Sequence, residues 1–265
     1  RGIEKKSAEL PSAEAFHGYR MREAQRARLL GALLIPHHPD HSVELRRAPD
    51  VRDACAHARG AIPEPYLATL RELQGILGAY QWFLTGVEIP QLGERIHPHY
   101  GVYSPSRSEY LELIVHAPLP AVLQQHAVAF DIGTGTGVIA ALLARRGVEK
   151  IIATDNDARA IACATDNVAR LGLKTRIAIE EANLFPNGQA SLIVCNPPWI
   201  PGKVSTLLEH AVYDPDSRML RGFLNGLATH LISGGEGWLI LSDIAEHLQL
   251  RNREQLHEWF SAAGL

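Results

Sequence analysis

The chain has only three cysteines, Cys55, Cys163 and Cys195, scattered and without a C-x-x-C pair. That pattern points to neither a disulfide framework nor a thiolate zinc site, so a reducing, cytoplasmic setting is expected. Long apolar runs are missing too. None approaches a membrane span, and no basic-then-apolar leader opens the sequence, so no membrane partner is expected. Nor is there an excess of charge of one sign: the net charge is −3, which argues against holding nucleic acid mainly through a positive field. Arg20, Arg22, Arg26 and Arg28 fall at helix-like spacing and read as a solvated helix face. His37, His38 and His41 stand among prolines with no acidic or thiolate partner at set spacing, so they read as surface loop and no metal is expected.

What remains is an ordinary globular composition of 265 residues, 46% of them hydrophobic, enough to bury one large domain or one large and one small. A helical period from Ser12 to about Leu34 and a second from Ala61 to Leu84 predict a small helical domain over 1–84, with IPHHPDHSVELRRAPD between them as loop. Residues 85–104 mix aromatic and β-branched residues with Pro and Gly, as a hairpin-like connector does. From 105 to 265 the rhythm changes. Five short apolar runs alternate with helical segments: AVAF (127–130), KIIAT (150–154), RIAIE (176–180), SLIV (191–194) and GWLIL (237–241). Runs without polar alternation are strands covered on both faces, so an α/β, doubly wound, mostly parallel sheet is expected there.

Four segments at predicted strand ends carry the chemistry. DIGTGTG, Asp131 to Gly137, runs from the first strand into a helix. Gly133, Gly135 and Gly137 let the backbone turn sharply and approach a ligand, with Thr134 between them. The spacing G-x-G-x-G lacks a residue of the dinucleotide fingerprint, which makes a pyrophosphate seat, and with it a nicotinamide-dependent oxidoreductase, the weaker alternative. TDND ends the second strand. Asp155 stands about 20 residues beyond the glycines, where an acid meets ribose hydroxyls. Asn156 flanks an adenine in this reading, Asp157 reads as a helix N-cap, and Ala182 and Asn183 reach the same crevice from the third strand. CNPPWIPG ends the fourth. Two prolines cannot continue a ladder, so Asn196, Pro197, Pro198 and Trp199 are held rigidly at a strand tip.

DIGTGTG, TDND, NLF and NPPW, in this order and at strand ends, resemble the class I S-adenosylmethionine-dependent methyltransferases of the NPPY-motif group, with a Rossmann-like sheet. The nearest likeness is to the release-factor glutamine N-methyltransferases, which also carry a small helical N-terminal domain and a connecting hairpin. SPSRSEYLEL (104–113) and DPDSRMLRGFLNGL (214–227) resemble that family's entry segment and its loop and helix after the fourth strand. The resemblance implies S-adenosyl-L-methionine as cofactor, bound by Asp131, Gly133, Thr134, Gly135, Gly137, Asp155, Asn156, Ala182, Asn183 and Asn196. It implies catalysis by Asn196, Pro197, Pro198 and Trp199, and a release-factor-like protein as substrate. It also implies two further strands after a helix such as NREQLHEWFSAAGL. The chain departs from the family's usual residues with Trp199 in place of Tyr and Asn183 in place of Asp.

The chemistry explains the motif. A planar amide or aniline-type nitrogen is a poor nucleophile until acceptors hold its hydrogens; Asn196 Oδ1 and the Pro197 carbonyl are such a pair, and the bonds strengthen as positive charge develops. The Trp199 face can stack on the planar group while its N–H seeks a partner. The same chemistry serves adenine in RNA or DNA, which stays open as an alternative substrate. A non-catalytic adenosyl-binding module is disfavoured by the intact Asn196.

Overall fold

A computed structural model describes residues 13–105, 109–204, 209 and 211–265. Five parallel strands form the main sheet: β5 (Val128–Ile132), β6 (Lys150–Asp155), β7 (Ile177–Glu181), β8 (Ala190–Cys195) and β9 (Leu231–Leu239), in the order β7-β6-β5-β8-β9. The chain steps outward from β5 to β7, then crosses back to β8 beside β5. The carboxyl ends of β5 and β8 therefore flank a topological switch point, where open α/β sheets bind ligands.

Alternation along β5 assigns the two sheet faces. Ala129 joins a buried cluster with Ile151, Ala153, Leu192 and the apolar side of helix α5 (Val138–Arg145). Phe130 and Ile132 face the other way, onto Leu220, Phe223, Leu224 and Leu227 of helix α7 (Arg218–His230). All six residues of β8 are buried, which accounts for its unbroken apolar run. Helix α6 (Ala158–Arg170) starts at Asp157, whose carboxylate accepts from the Arg159 N–H, as its N-cap reading requires.

The hairpin strands β3 (Val87–Ile89) and β4 (Glu94–Ile96) pair antiparallel. Ile89 and Ile96 are both fully buried in the cluster under α5, and the His97 N–H donates to Asn167 Oδ1 of α6 at 2.8 Å. The connector is thus fastened to the sheet. Helix α4 (Glu109–His116) follows, burying Leu111 and Ile114 in the same cluster. Residues 106–108 of the SPSRSEYLEL segment lie outside the described residues, as does Ser12.

Before the hairpin the structure departs from the all-helical reading. Helix α1 (Ala13–Gly31) is present, but the second helix, α3 (Leu70–Thr85), starts nine residues after Ala61. Pro63 and Pro65 bar a helix before it, and Thr69 caps it by accepting from the Glu72 N–H. The intervening stretch is strand β2 (Tyr66–Thr69), paired antiparallel with β1 (Leu34–His37) inside the supposed loop. Helix α2 (Arg52–Arg59) lies just beyond that loop. Two strands of four residues, about 30 apart, leave no alternation to read. His37 and His41 are buried rather than on the surface, His41 bonded to the Tyr66 hydroxyl and the Gly60 carbonyl. Strand β9 also starts six residues before GWLIL, because Ser233, Gly234, Gly235 and Glu236 break the apolar run after Leu231 and Ile232, while the pairing continues across a register shift at Ala190/Leu192.

Among the described residues no helix is long and apolar enough to cross a membrane, and no group of three or more His, Cys, Asp or Glu could hold a metal ion. The three cysteines are buried and unpaired.

Candidate functional site

A cleft of about 1320 Å³ opens at the carboxyl ends of β5, β6 and β8. Gly133, Thr134, Gly135, Asp155, Asn156, Ala182, Asn183 and the whole Asn196–Trp199 tetrapeptide line it. Segments more than 60 residues apart are therefore neighbours in one cavity.

Asp155 connects the first two segments. Its Oδ2 accepts the Gly135 N–H and its Oδ1 the Asp157 N–H, both at 3.0 Å, so the carboxylate is oriented by backbone while each oxygen retains acceptor capacity. Burial raises its pKa, and the bonds from Asp157 and Gly135 oppose that. Gly135 has φ +54° with open space where a Cβ would stand, so the backbone there can be approached closely. A carboxylate offering two acceptor edges beside an open glycine turn fits the vicinal hydroxyls of an adenosyl group.

Two of the expected cofactor residues do not line the cleft. Gly137 is the left-handed residue from which α5 starts, and a Cβ there would press on Ala164 at 3.4 Å; it brings α5 against α6. Asp131 is fully buried beneath the turn. Its Oδ2 accepts the Thr134 hydroxyl at 2.7 Å and the Ala140 N–H at 3.1 Å, while Oδ1 has no partner among the described residues. Asp131 thus fastens the glycine loop to α5.

Burial pushes the Asp131 pKa up to about 7, against the two hydrogen bonds that lower it. A raised carboxylate favours the folded state below its ordinary value of 3.8, and that contribution is lost as pH rises through about 7. The parent chain is accordingly expected to gain stability relative to Asp131→Asn as pH falls across that window. Urea unfolding of both at several pH values measures it; a pH-independent difference would contradict a buried titrating carboxyl.

At the end of β8 the Trp199 indole N–H donates to Asn196 Oδ1 at 2.9 Å. The ring is partly buried against the cluster under α5. The Asn196 side chain also meets Tyr110 of α4, a residue that the sequence reading did not single out. Burial drives the Tyr110 hydroxyl pKa up, and a hydrogen bond with the Asn196 side chain pulls it the other way. Tyr110 also lines the cleft. Its only sequence signal is its place in the SPSRSEYLEL segment.

Beyond Trp199 the chain folds back on itself: the Ile200 N–H donates to the Val212 carbonyl, and the Asp214 N–H to that of Ile200. Asp214 is buried and accepts the N–H groups of Met219 and Leu220, both at 3.1 Å, at the start of α7. It holds two consecutive non-glycine residues in left-handed conformation, Asp216 at φ 58° and Ser217 at φ 52°. Asp214→Ala should lower unfolding stability by about 1–2 kcal/mol in denaturant titration, as loss of a helix cap does; an unchanged midpoint would mean the strained turn holds itself.

The family model "Methyltransferase small domain" matches residues 94–263. The release factor glutamine methyltransferase of Caulobacter vibrioides is 36% identical over 126 residues, 45% of this chain and 43% of that protein, so the match spans under half of that relative. A Methanocaldococcus jannaschii protein, provisionally named a protein N5-glutamine methyltransferase, is 30% identical over 178 residues, 63% of this chain and 84% of its own length. The Caenorhabditis elegans U6 small nuclear RNA (adenine-(43)-N(6))-methyltransferase is 32% identical over 108 residues, 36% of this chain and 22% of that protein.

Proposed function

We propose, for a chain that belongs to the methyltransferase small domain family, that it transfers a methyl group from S-adenosylmethionine to a planar amide nitrogen, with a protein glutamine side chain as acceptor. One observation carries the reading: the Asn-Pro-Pro-Trp segment, the open glycine turn and the anchored Asp155 share a single cleft. When bound, S-adenosylmethionine supplies an electrophilic methyl on a sulfonium, so no strong base is needed.

This chain's residues do the rest. Asp155 accepts the ribose hydroxyls and the glycine turn gives the cofactor's sugar and tail close backbone approach. Asn156, Ala182 and Asn183 border the adenine. Asn196 Oδ1 and the Pro197 carbonyl accept the hydrogens of the incoming nitrogen, turning its lone pair toward the methyl and stabilising the charge that develops. Pro198 fixes the Pro197 carbonyl, and the Trp199 face stacks on the planar group.

The part before the hairpin chooses the substrate in this proposal, with residues 1–84, 85–104 and 105–265 as recognition, connecting and catalytic parts. Arg20 of α1 supports it. Its guanidinium lies 4.4 Å from the centre of the Tyr213 ring and donates to the Lys203 carbonyl at 3.0 Å, and both residues line the cleft. Arg20 is thus half-exposed and engaged, where the sequence reading had it on a solvated face.

The relatives named for glutamine methylation favour a protein substrate. Adenine in RNA is the second reading, favoured by the U6 methyltransferase likeness alone. The hydride-transfer alternative is left without support. Labelled methyl from S-adenosylmethionine, transferred into a cell extract and then treated with protease or nuclease, tests the proposal. Label released by protease agrees with it, and label released by nuclease alone moves the substrate to adenine. No transfer to either contradicts both.

A further inference from the structure

The Asn196 carboxamide has two ends of nearly equal size and opposite chemistry, and only its oxygen can accept from an amide or amine N–H. An acceptor site built on it needs something that decides which end faces the incoming nitrogen. Here the Trp199 indole N–H donates to Asn196 Oδ1 at 2.9 Å. Turning the amide over would set the NH2 against the indole N–H, two donors with no acceptor between them, and lose the bond. The two residues between are Pro197 and Pro198, whose rings fix φ, so the Asn196–Trp199 spacing is stiff. The indole is itself held from behind by the cluster under α5.

The geometry of the bond leaves the site usable. An indole N–H lies in the ring plane, so donation occupies one lone pair of the oxygen and commits neither ring face. The hydrogen bond between Tyr110 and the Asn196 side chain lowers the phenol pKa, as acceptance from the NH2 end does, so Tyr110 leaves the second lone pair of Oδ1 to the substrate. A tyrosine at 199 would carry its donor at the far tip of the ring; indole carries it on the flank.

We propose that Trp199 is a positioning residue: through its N–H, and not only through its ring, it keeps Asn196 Oδ1 turned toward the nitrogen to be methylated. The inference deepens the proposed amide or amine methyl transfer and rests on that reading.

The test replaces Trp199 by 3-benzothienylalanine in the full chain, which keeps the fused ring and puts sulfur where the N–H was. It is made in the parent and in Asn196→Asp, whose carboxylate has two equivalent oxygens and hence no wrong orientation. Methyl transfer from labelled S-adenosylmethionine into the protein and nucleic-acid fractions of a cell extract is read for all four proteins. The expected loss is about tenfold beside Asn196 and less than about twofold beside the aspartate, since a hydrogen bond of ordinary strength is removed but its orienting use exists only in the first. Equal losses in both backgrounds, or none beside Asn196, overturn the proposal.

A second readout does not depend on activity. The indole 15N–1H resonance of Trp199, recognised by its absence from the substituted protein, should move in Asn196→Ala while those of Trp82, Trp238 and Trp259 stay. An unmoved Trp199 resonance overturns the contact itself. If the parent protein transfers methyl to neither fraction, the amide or amine reading fails separately, and the resonance still decides whether Trp199 holds Asn196.

Discussion

Asn196→Ala is expected to lower methyl transfer by about 10²–10³-fold, the cost of removing one preorganised group aimed at developing transition-state charge. Affinity for S-adenosylhomocysteine, measured by calorimetry, should stay nearly unchanged. The asymmetry follows from where the residue sits. Asn196 is half-buried at the tip of β8 with its amide held by Trp199 and beside Tyr110, whereas Asp155, the proposed ribose acceptor, ends β6. Its bond to the acceptor nitrogen gains strength only as that nitrogen becomes positive, so its removal falls on turnover rather than on ground-state binding. Near-parent rates in the variant would remove Asn196 from the chemistry. A large loss of cofactor affinity would make it a wall of the cofactor site instead.

Asp155→Ala is the second large effect. Loss of the carboxylate should weaken S-adenosylhomocysteine by roughly ten- to a hundredfold, since hydrogen bonds to a charged acceptor are worth about 1.5–3 kcal/mol. The same carboxylate also accepts the Gly135 and Asp157 N–H groups, so its removal loosens the glycine turn as well as the ribose seat. Asp155→Asn separates the two. It keeps one acceptor oxygen for the backbone but offers only a donor at its other end, so it should recover part of the turn's order and little of the ribose affinity. Unchanged affinity in both variants would mean that the ribose sits elsewhere.

The second half was legible because burial on both faces writes itself into composition. AVAF and SLIV are unbroken because β5 and β8 are central and covered by helices on both sides, as the clusters beneath α5 and α7 show. Glycines with positive φ and prolines at a strand tip are equally legible, because few other residues do their work. The first half hides its two-stranded sheet: β1 and β2 are four residues each, one spelled LIPH, and pairing between segments about 30 residues apart leaves no local pattern. The reach of Arg20 to Lys203, across 183 positions, has no sequence signal at all.

Within the site, residue types were legible and contacts were not. Asp131 belongs to the motif and yet lies under the cleft, because a buried carboxylate that fastens a loop and one that faces a ligand have the same letter. Tyr110 sits beside Asn196 only because α4 is anchored by Leu111 and Ile114 in the core. For Trp199, core packing and a catalytic role are not exclusive: it packs on the core and bonds Asn196 at once.

Transfer of methyl to the nitrogen of a protein side-chain amide is the central proposal for this chain. Its most direct measurement is acid hydrolysis of protein labelled by this enzyme from methyl-labelled S-adenosylmethionine. A methylated side-chain amide gives up its nitrogen on hydrolysis, so the label is expected as methylamine, volatile once the hydrolysate is made alkaline. Label retained on an amino acid after hydrolysis, or recovered as a methylated adenine from a nuclease digest, would contradict it.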